Sequence, residues 1–128
     1  MVSILINSED TITFDIFMGV DKKGNLNVST KRDELKLTDE EVIKHTVTIK
    51  SPTYKDNVSI SSRAVTSDGQ TVNIDPSIAR YERFVLLLKE WTFVDDKNNP
   101  IPANKKSIDR LNPALAAAIA DKIDEIAG

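Results

Sequence analysis

In the first half of the chain, apolar and polar residues tend to alternate. "TITFDIF" at 11–17 places Ile12, Phe14 and Ile16 on one face and Thr11, Thr13 and Asp15 on the other. "HTVTIK" repeats the pattern with Val47 and Ile49, and "NLNVST" with Leu26 and Val28. Period two in Thr, Val and Ile predicts half-buried strands. "DKKGN" at 21–25 predicts the turn between the first two. In "LTDEEVIKH", Thr38 and Glu41 have capping-box spacing, with Lys44 and His45 suited to a last turn. This predicts a short helix near 39–45.

The stretch 51–74 carries two patterns. Val58 with Ile60, and Val72 with Ile74, alternate as in strands, and Asp68-Gly69 between them is a hairpin signal. Tyr54, Val58 and Val65 also fall near helical spacing, with Pro52 as a helix opener. The balance favours extended structure for at least the second half.

Past Asp75 the period becomes helical. Asp75 is the expected N-cap, with Pro76 at the first helical position. Ile78, Tyr81, Phe84 or Val85, Leu88 and Trp91 follow at steps of three and four. Leu86 and Leu87 widen this stripe, so the helix is expected to be covered on more than one side. Asn112 and Pro113 repeat the start signal, and Leu115, Ile119, Ile123 and Ile126 continue the stripe. A short turn over "SIDRL" at 107–111, capped by Ser107, is expected between the two helices.

The expected fold is α+β. A small antiparallel sheet in the N-terminal half packs against a C-terminal helical part, with helices at about 76–92 and 113–126. One domain spans 1–128, mainly β over 1–74 and mainly α over 75–128. A chain of 128 residues is near the common domain size and can bury a core without staples.

Composition narrows the function classes. The net charge of −3, from 17 basic and 20 acidic residues, argues against a general nucleic-acid binder, which needs a concentrated basic surface. Lys22-Lys23, Lys31-Arg32 and Lys105-Lys106 are isolated basic pairs. With no cysteine, thiolate zinc sites, iron–sulfur clusters and a cysteine nucleophile are excluded. The opening "MVSILINSEDTITF" lacks the basic region and apolar length of a signal peptide, and "FVLLL" at 84–88 is too short to span a bilayer. A soluble cytoplasmic protein without membrane partners is expected.

Catalysis finds little to work with. His45 is the only histidine, and no nucleophile-elbow pattern accompanies it. It reads as a surface or edge residue ending the short helix. Asp95 and Asp96, with Asn98 or Asn99, offer oxygen ligands, but "DDKNNPIP" lacks calcium-loop spacing. Asp121, Asp124 and Glu125 read as a solubilising face of the last helix. The four glycines are too scattered for a phosphate-binding loop. The expectation is a non-enzymatic protein with no catalytic residues, cofactor or metal.

Residues 80–126, "RYERFVLLLKEWTFVDDKNNPIPANKKSIDRLNPALAAAIADKIDEI", have a distinctive order. An apolar helix with an early arginine leads to a tryptophan, an acidic loop, a Pro-x-Pro, a polar spacer and an "L-x-P" before an alanine-rich helix. This pattern, with "VTIKSPTYKDNVSI" before it, resembles the small tail assembly chaperones of tailed bacteriophages and prophages. The acidic loop departs from theirs in having Asn98-Asn99 where glycine is usual.

The resemblance implies an assembly factor in the host cytoplasm, binding an unassembled tail protein such as tape measure or tail tube. The partner is a protein, and homo-oligomers fit the same role. The candidate contact residues are Trp91, Phe93, Leu115, Ile119, Ile123 and Ile126. The N-terminal arm around Ile4, Leu5 and Ile12 is a second candidate, able to add a strand to a partner. One alternative is a permanent virion component, such as a connector, tail or baseplate part. Another is a small phage-encoded accessory protein that binds other proteins.

Overall fold

A computed structural model describes residues 4–7, 9–67, 69 and 71–127. The alternating segments form β1 (Thr11–Val20), β2 (Leu26–Ser29) and β3 (Ile43–Lys50). With β6 (Leu88–Trp91) they make a four-stranded sheet in the order β2-β1-β3-β6, antiparallel throughout. The fold is α+β. Phe14 and Ile16 of β1 and Val47 and Ile49 of β3 are buried on the inner face. The opposite face carries the polar partners, with Thr13 and Thr48 hydroxyls 2.9 Å apart. Asp21 builds the expected β1–β2 turn by accepting from the N–H groups of Lys23 and Asn25, while Gly24 takes φ +81.

Two helices cover the inner face. α2 (Pro76–Leu87) starts where expected, with the Asp75 carboxylate accepting from Ser77 and Ile78 N–H. α4 (Pro113–Ala127) starts at Pro113, with Asn112 Oδ1 accepting from Ala114 N–H. Phe84 and Leu87 of α2 and Leu115, Ile119 and Ile123 of α4 join the sheet residues in one buried cluster. Residues from both halves of the chain thus share a core.

The far side of α2 meets α1 (Tyr54–Arg63). Ile60 and Ala64 pack there with Ala79 and Leu86, so α2 is covered on two sides, as the widened stripe predicts. The first half of the ambiguous stretch is therefore helical. Thr53 is its N-cap and forms a reciprocal capping box with Asp56, while Pro52 stands outside the helix. Burial opposes ionisation of Asp56, but hydrogen bonds from Lys50 and Thr53 outweigh it and hold the carboxyl below its usual range. Tyr54 and Val58 are exposed and form no apolar stripe. The second half is extended, as expected: β4 (Val65–Ser67) pairs with β5 (Val72–Ile74). Gly69 between them has φ +94, and Asp68 lies outside the described residues.

Three expectations are corrected. No helix forms near 39–45. Glu41 Oε1 does accept from Thr38 N–H and Oγ1, but 39–41 is a turn and Ile43 already begins β3. A one-turn helix is marginal, whereas 43–50 gains a ladder along β1 from Met18 to Thr11. The only helical turn nearby is a 3-10 turn at Arg32–Glu34. Second, α2 stops at Leu87 instead of near 92. Leu88–Trp91 leaves the helix without a linker and pairs with Val47–Ile49. Third, the intermediate helix, α3 (Lys105–Ile108), starts earlier than expected, and its cap is Asn104, not Ser107: Asn104 Oδ1 accepts from Ser107 N–H.

Gly19 marks a close crossing. A methyl group there would stand 2.5 Å from the Glu41 carbonyl oxygen and 2.7 Å from Leu37 Cδ1. Gly19→Ala is expected to destabilise by about 1–3 kcal/mol through overpacking. Leu87 is fully buried, so Leu87→Ala should cost about 2–5 kcal/mol. Leu88 is only half-buried in β6, and Leu88→Ala should cost less. Urea melts of the three variants check this order, and a larger loss at Leu88 than at Leu87 would place the core wrongly.

Candidate functional site

The segment after β6 is tied down by its own polar groups. Trp91 is half-buried, and its Nε1–H donates to the Ile101 carbonyl at 2.6 Å. Its ring lies 5.1 Å from that of Phe93, which in turn lies 5.0 Å from the His45 ring. Val94 and Pro100 form an antiparallel bridge that closes the acidic loop. Within it, Asp95 Oδ1 accepts from Lys97 and Asn99 N–H, and Asn98 adopts φ +63, which a short polar side chain tolerates. That carboxylate organises a turn. Among the described residues, no group of three or more His, Asp or Glu side chains is placed to hold a metal ion.

His45 lies in β3, not at a helix end. Its Nδ1 is 3.0 Å from Thr92 Oγ1, which accepts from Thr46 N–H at 3.0 Å. Partial burial lowers the histidine pKa, and a hydrogen bond to the Thr92 backbone opposes this in part. Among the described residues, the ring's side-chain hydrogen bond goes to a threonine, and no Ser-His-Asp triad is assembled around it.

The candidate contact residues separate into two groups. Leu115, Ile119, Ile123 and Phe93 are buried in the core, and Trp91 and Ile126 are half-buried against it. The sheet already occupies the apolar face of α4, so that face is not free for a partner. In the N-terminal arm Ile4 and Leu5 are exposed at 95% and 80%, whereas Ile12 packs against the core from β1.

The acidic residues of α4 are also more than a solubilising face. Asp121 pairs with Arg80 at 2.6 Å and Asp124 with Arg83 at 2.6 Å, bridging α4 to α2. Glu125 pairs with Lys122 on its own helix. Arg80 Nη2 also donates to the Ala117 carbonyl at 2.9 Å.

Arg80 also lines an open groove of about 750 Å³ between α2, α3 and α4. Leu111, Ala116 and Ala117 give it accessible apolar surface over a floor of buried Phe84, Ile108 and Ala120, and Arg80, Tyr81 and Asp109 supply polar groups. Tyr81 donates to Asp109 Oδ1 at 2.6 Å. That hydrogen bond, with burial and the negative charge of Asp109, pushes the tyrosine pKa up to about 12. The one Tyr81 hydroxyl proton is committed to Asp109. Sequence periodicity assigns Tyr81 to the core stripe, and nothing in the local pattern shows that Asp109 meets it from another element.

Among the described residues, no helix is long and apolar enough to cross a membrane.

The lowered His45 pKa has a defined sign. The folded state favours the neutral ring, so this contribution to stability is present above the unfolded value of 6.5 and is lost as pH falls through the lower folded value. Thermal melts from pH 7.5 to 5 should show a falling Tm in the wild type. The fall should be shallower in His45→Gln, and equal slopes would remove His45 from this role.

Compared with protein-family models, with curated proteins and with solved structures, the chain matches none.

Proposed function

We propose that this chain is a non-enzymatic phage assembly factor, a tail assembly chaperone that holds an unassembled tail protein in the host cytoplasm. The observation carrying the reading is the open groove between α2 and α4, with accessible apolar surface from Leu111, Ala116 and Ala117 beside polar groups. The pattern over 80–126 supplies the biological class, because it resembles tail assembly chaperones.

The expected occupant is an amphipathic helical segment of a tape measure or tail tube protein. Such a segment lays apolar side chains at steps of three and four into a groove of this kind. The alanines Ala116 and Ala117 permit close approach, and Tyr81 and Arg80 stand at the same groove. Holding that segment would keep a self-associating protein apart until assembly begins. Affinity would come from apolar burial, without a chemical step.

A permanent virion component, such as a connector, tail or baseplate part, is the second reading, since a groove of this kind also suits a fixed neighbour. An accessory protein binding some other protein is the third.

Affinity capture from infected or induced cells, read by mass spectrometry, should recover a tail protein. Ala117 is exposed in the groove wall, so Ala117→Trp should fill the groove with a stability change near 0.5 kcal/mol or less. Capture should fall at least about tenfold, corresponding to about 1.4 kcal/mol. Unchanged capture would reject the groove as the site. Detection of the protein at fixed copy number in purified particles would reject the chaperone role in favour of a virion component.

A further inference from the structure

β1 is flanked unequally. β3 pairs it from Thr11 to Met18, but β2 pairs it only from Phe17 to Val20. On the β2 side, Thr11–Ile16 has no neighbouring strand among the described residues. β2 leaves because Ser29 Oγ accepts from Lys31 N–H and donates to Glu34 Oε2, which turns the chain away.

The ladder shows which backbone groups this leaves bare. Thr46 directs both its groups toward the β6 side: its carbonyl accepts from Thr92 N–H, and its N–H donates to Thr92 Oγ1. Asp15, directly opposite Thr46, is therefore a non-hydrogen-bonded position of the β1–β3 ladder. Odd-numbered residues of β1 aim their N–H and C=O away from β3. Two neighbouring bonds have the same parity, Ser51 N–H to the Asp10 carbonyl and Asp21 N–H to the Asn25 carbonyl. Thr11, Thr13 and Asp15 thus present their N–H and C=O groups along one open edge, and Thr11 and Thr13 are exposed. The other outer strands are blunted. β2 and β6 have four residues each, and β6 adds a register shift and the exposed charges of Lys89 and Glu90.

We propose that this edge pairs with the same edge of a second copy, antiparallel about a twofold axis through Thr13. The sheets of the two chains then become one continuous sheet. With the axis at Thr13, all three bare residues find partners inside the bare stretch. Thr11 of each chain faces Asp15 of the other, and Thr13 faces its own counterpart. Moving the axis to Phe14 would set Thr11 against Phe17, which β2 already occupies. Moving it to Asp15 would oppose two carboxylates, which destabilises a cross-strand pair.

The side chains match in the same register. Ile12 of each chain faces Phe14 of the other, extending the apolar inner face, while threonines meet on the outer face. No like charges stand opposite each other, and Lys44 lies 3.9 Å from Asp15 within each chain. A six-residue edge is a small interface, so the dimer is reversible and depends on concentration.

Sedimentation velocity of the full chain from micromolar to millimolar concentration tests this. The wild type should shift from monomer to dimer. Thr13→Lys sets two like charges across the axis and should weaken the dimer by at least about tenfold with an unchanged circular dichroism spectrum. Thr13→Cys provides a second test, because the chain has no cysteine of its own. Directly opposed hydrogen-bonded residues stand about 5.5 Å apart at Cα, within disulfide range of about 4.4–6.8 Å. Mild oxidation should link Thr13→Cys into a dimer faster than Glu90→Cys on β6. A chain that stays monomeric throughout, with both cysteine variants linking at the same slow rate, would overturn the proposal. So would a dimer indifferent to Thr13→Lys, or preferential cross-linking of Thr13→Cys to a different protein in host extract.

Discussion

Everything in this structure depends on covering one apolar sheet face. Ile16, Val47 and Ile49 are fully buried, and they lie on the two central strands. A sheet so small gains independent stability only when such a face is packed against something else. α2 and α4 provide that cover through Phe84, Leu87, Leu115, Ile119 and Ile123. The helices are placed by this demand, and their remaining surface is what a partner can use. The arginine–aspartate bridges then tie one helix to the other. These bridges are partly exposed, and their contribution is modest beside the apolar burial beneath them.

The same demand explains which parts of the fold could be read from the sequence. β1 and β3 were readable because they are half-buried, so their two faces carry different residue types. The starts of α2 and α4 were readable because capping is local: Asp75 and Asn112 bind amides two or three residues ahead. The end of α2 was hidden by a continuous apolar run, Phe84 to Leu88, which suits a covered helix and a buried strand equally. α1 was obscured for the opposite reason. Its sequence is largely polar, and only Asp56 and Ile60 within it are buried. The helix near 39–45 was misread because its capping contact is real, yet the β3 ladder claims the residues that would continue it.

The candidate site was harder to foresee than the fold. Apolar spacing in α4 identifies a face that must be covered, but not whether the chain or a partner covers it. Here the sheet does. The groove instead joins Arg80 and Tyr81 of α2 to Asp109 after α3 and to the alanines of α4, residues far apart in sequence. The aromatic cluster of Trp91, Phe93 and His45 serves the interior of the fold: Trp91 secures the loop to β6 through the Ile101 carbonyl.

The direct passage from α2 into β6 has a consequence for chain length. No spacer separates Leu87, fully buried in the helix, from Leu88, the first residue of the strand. β6 already holds one extra residue at its bulge against Thr48 and Ile49, so Leu88 and Trp91, three residues apart, are both half-buried. A further residue at this junction would displace Trp91 from the Ile101 carbonyl or enlarge the bulge. Over 76–91 the extra length is already taken up by that bulge. The acidic turn closed by Val94 and Pro100 is exposed and self-contained, so a change in length there disturbs less than one inside the helix–strand unit.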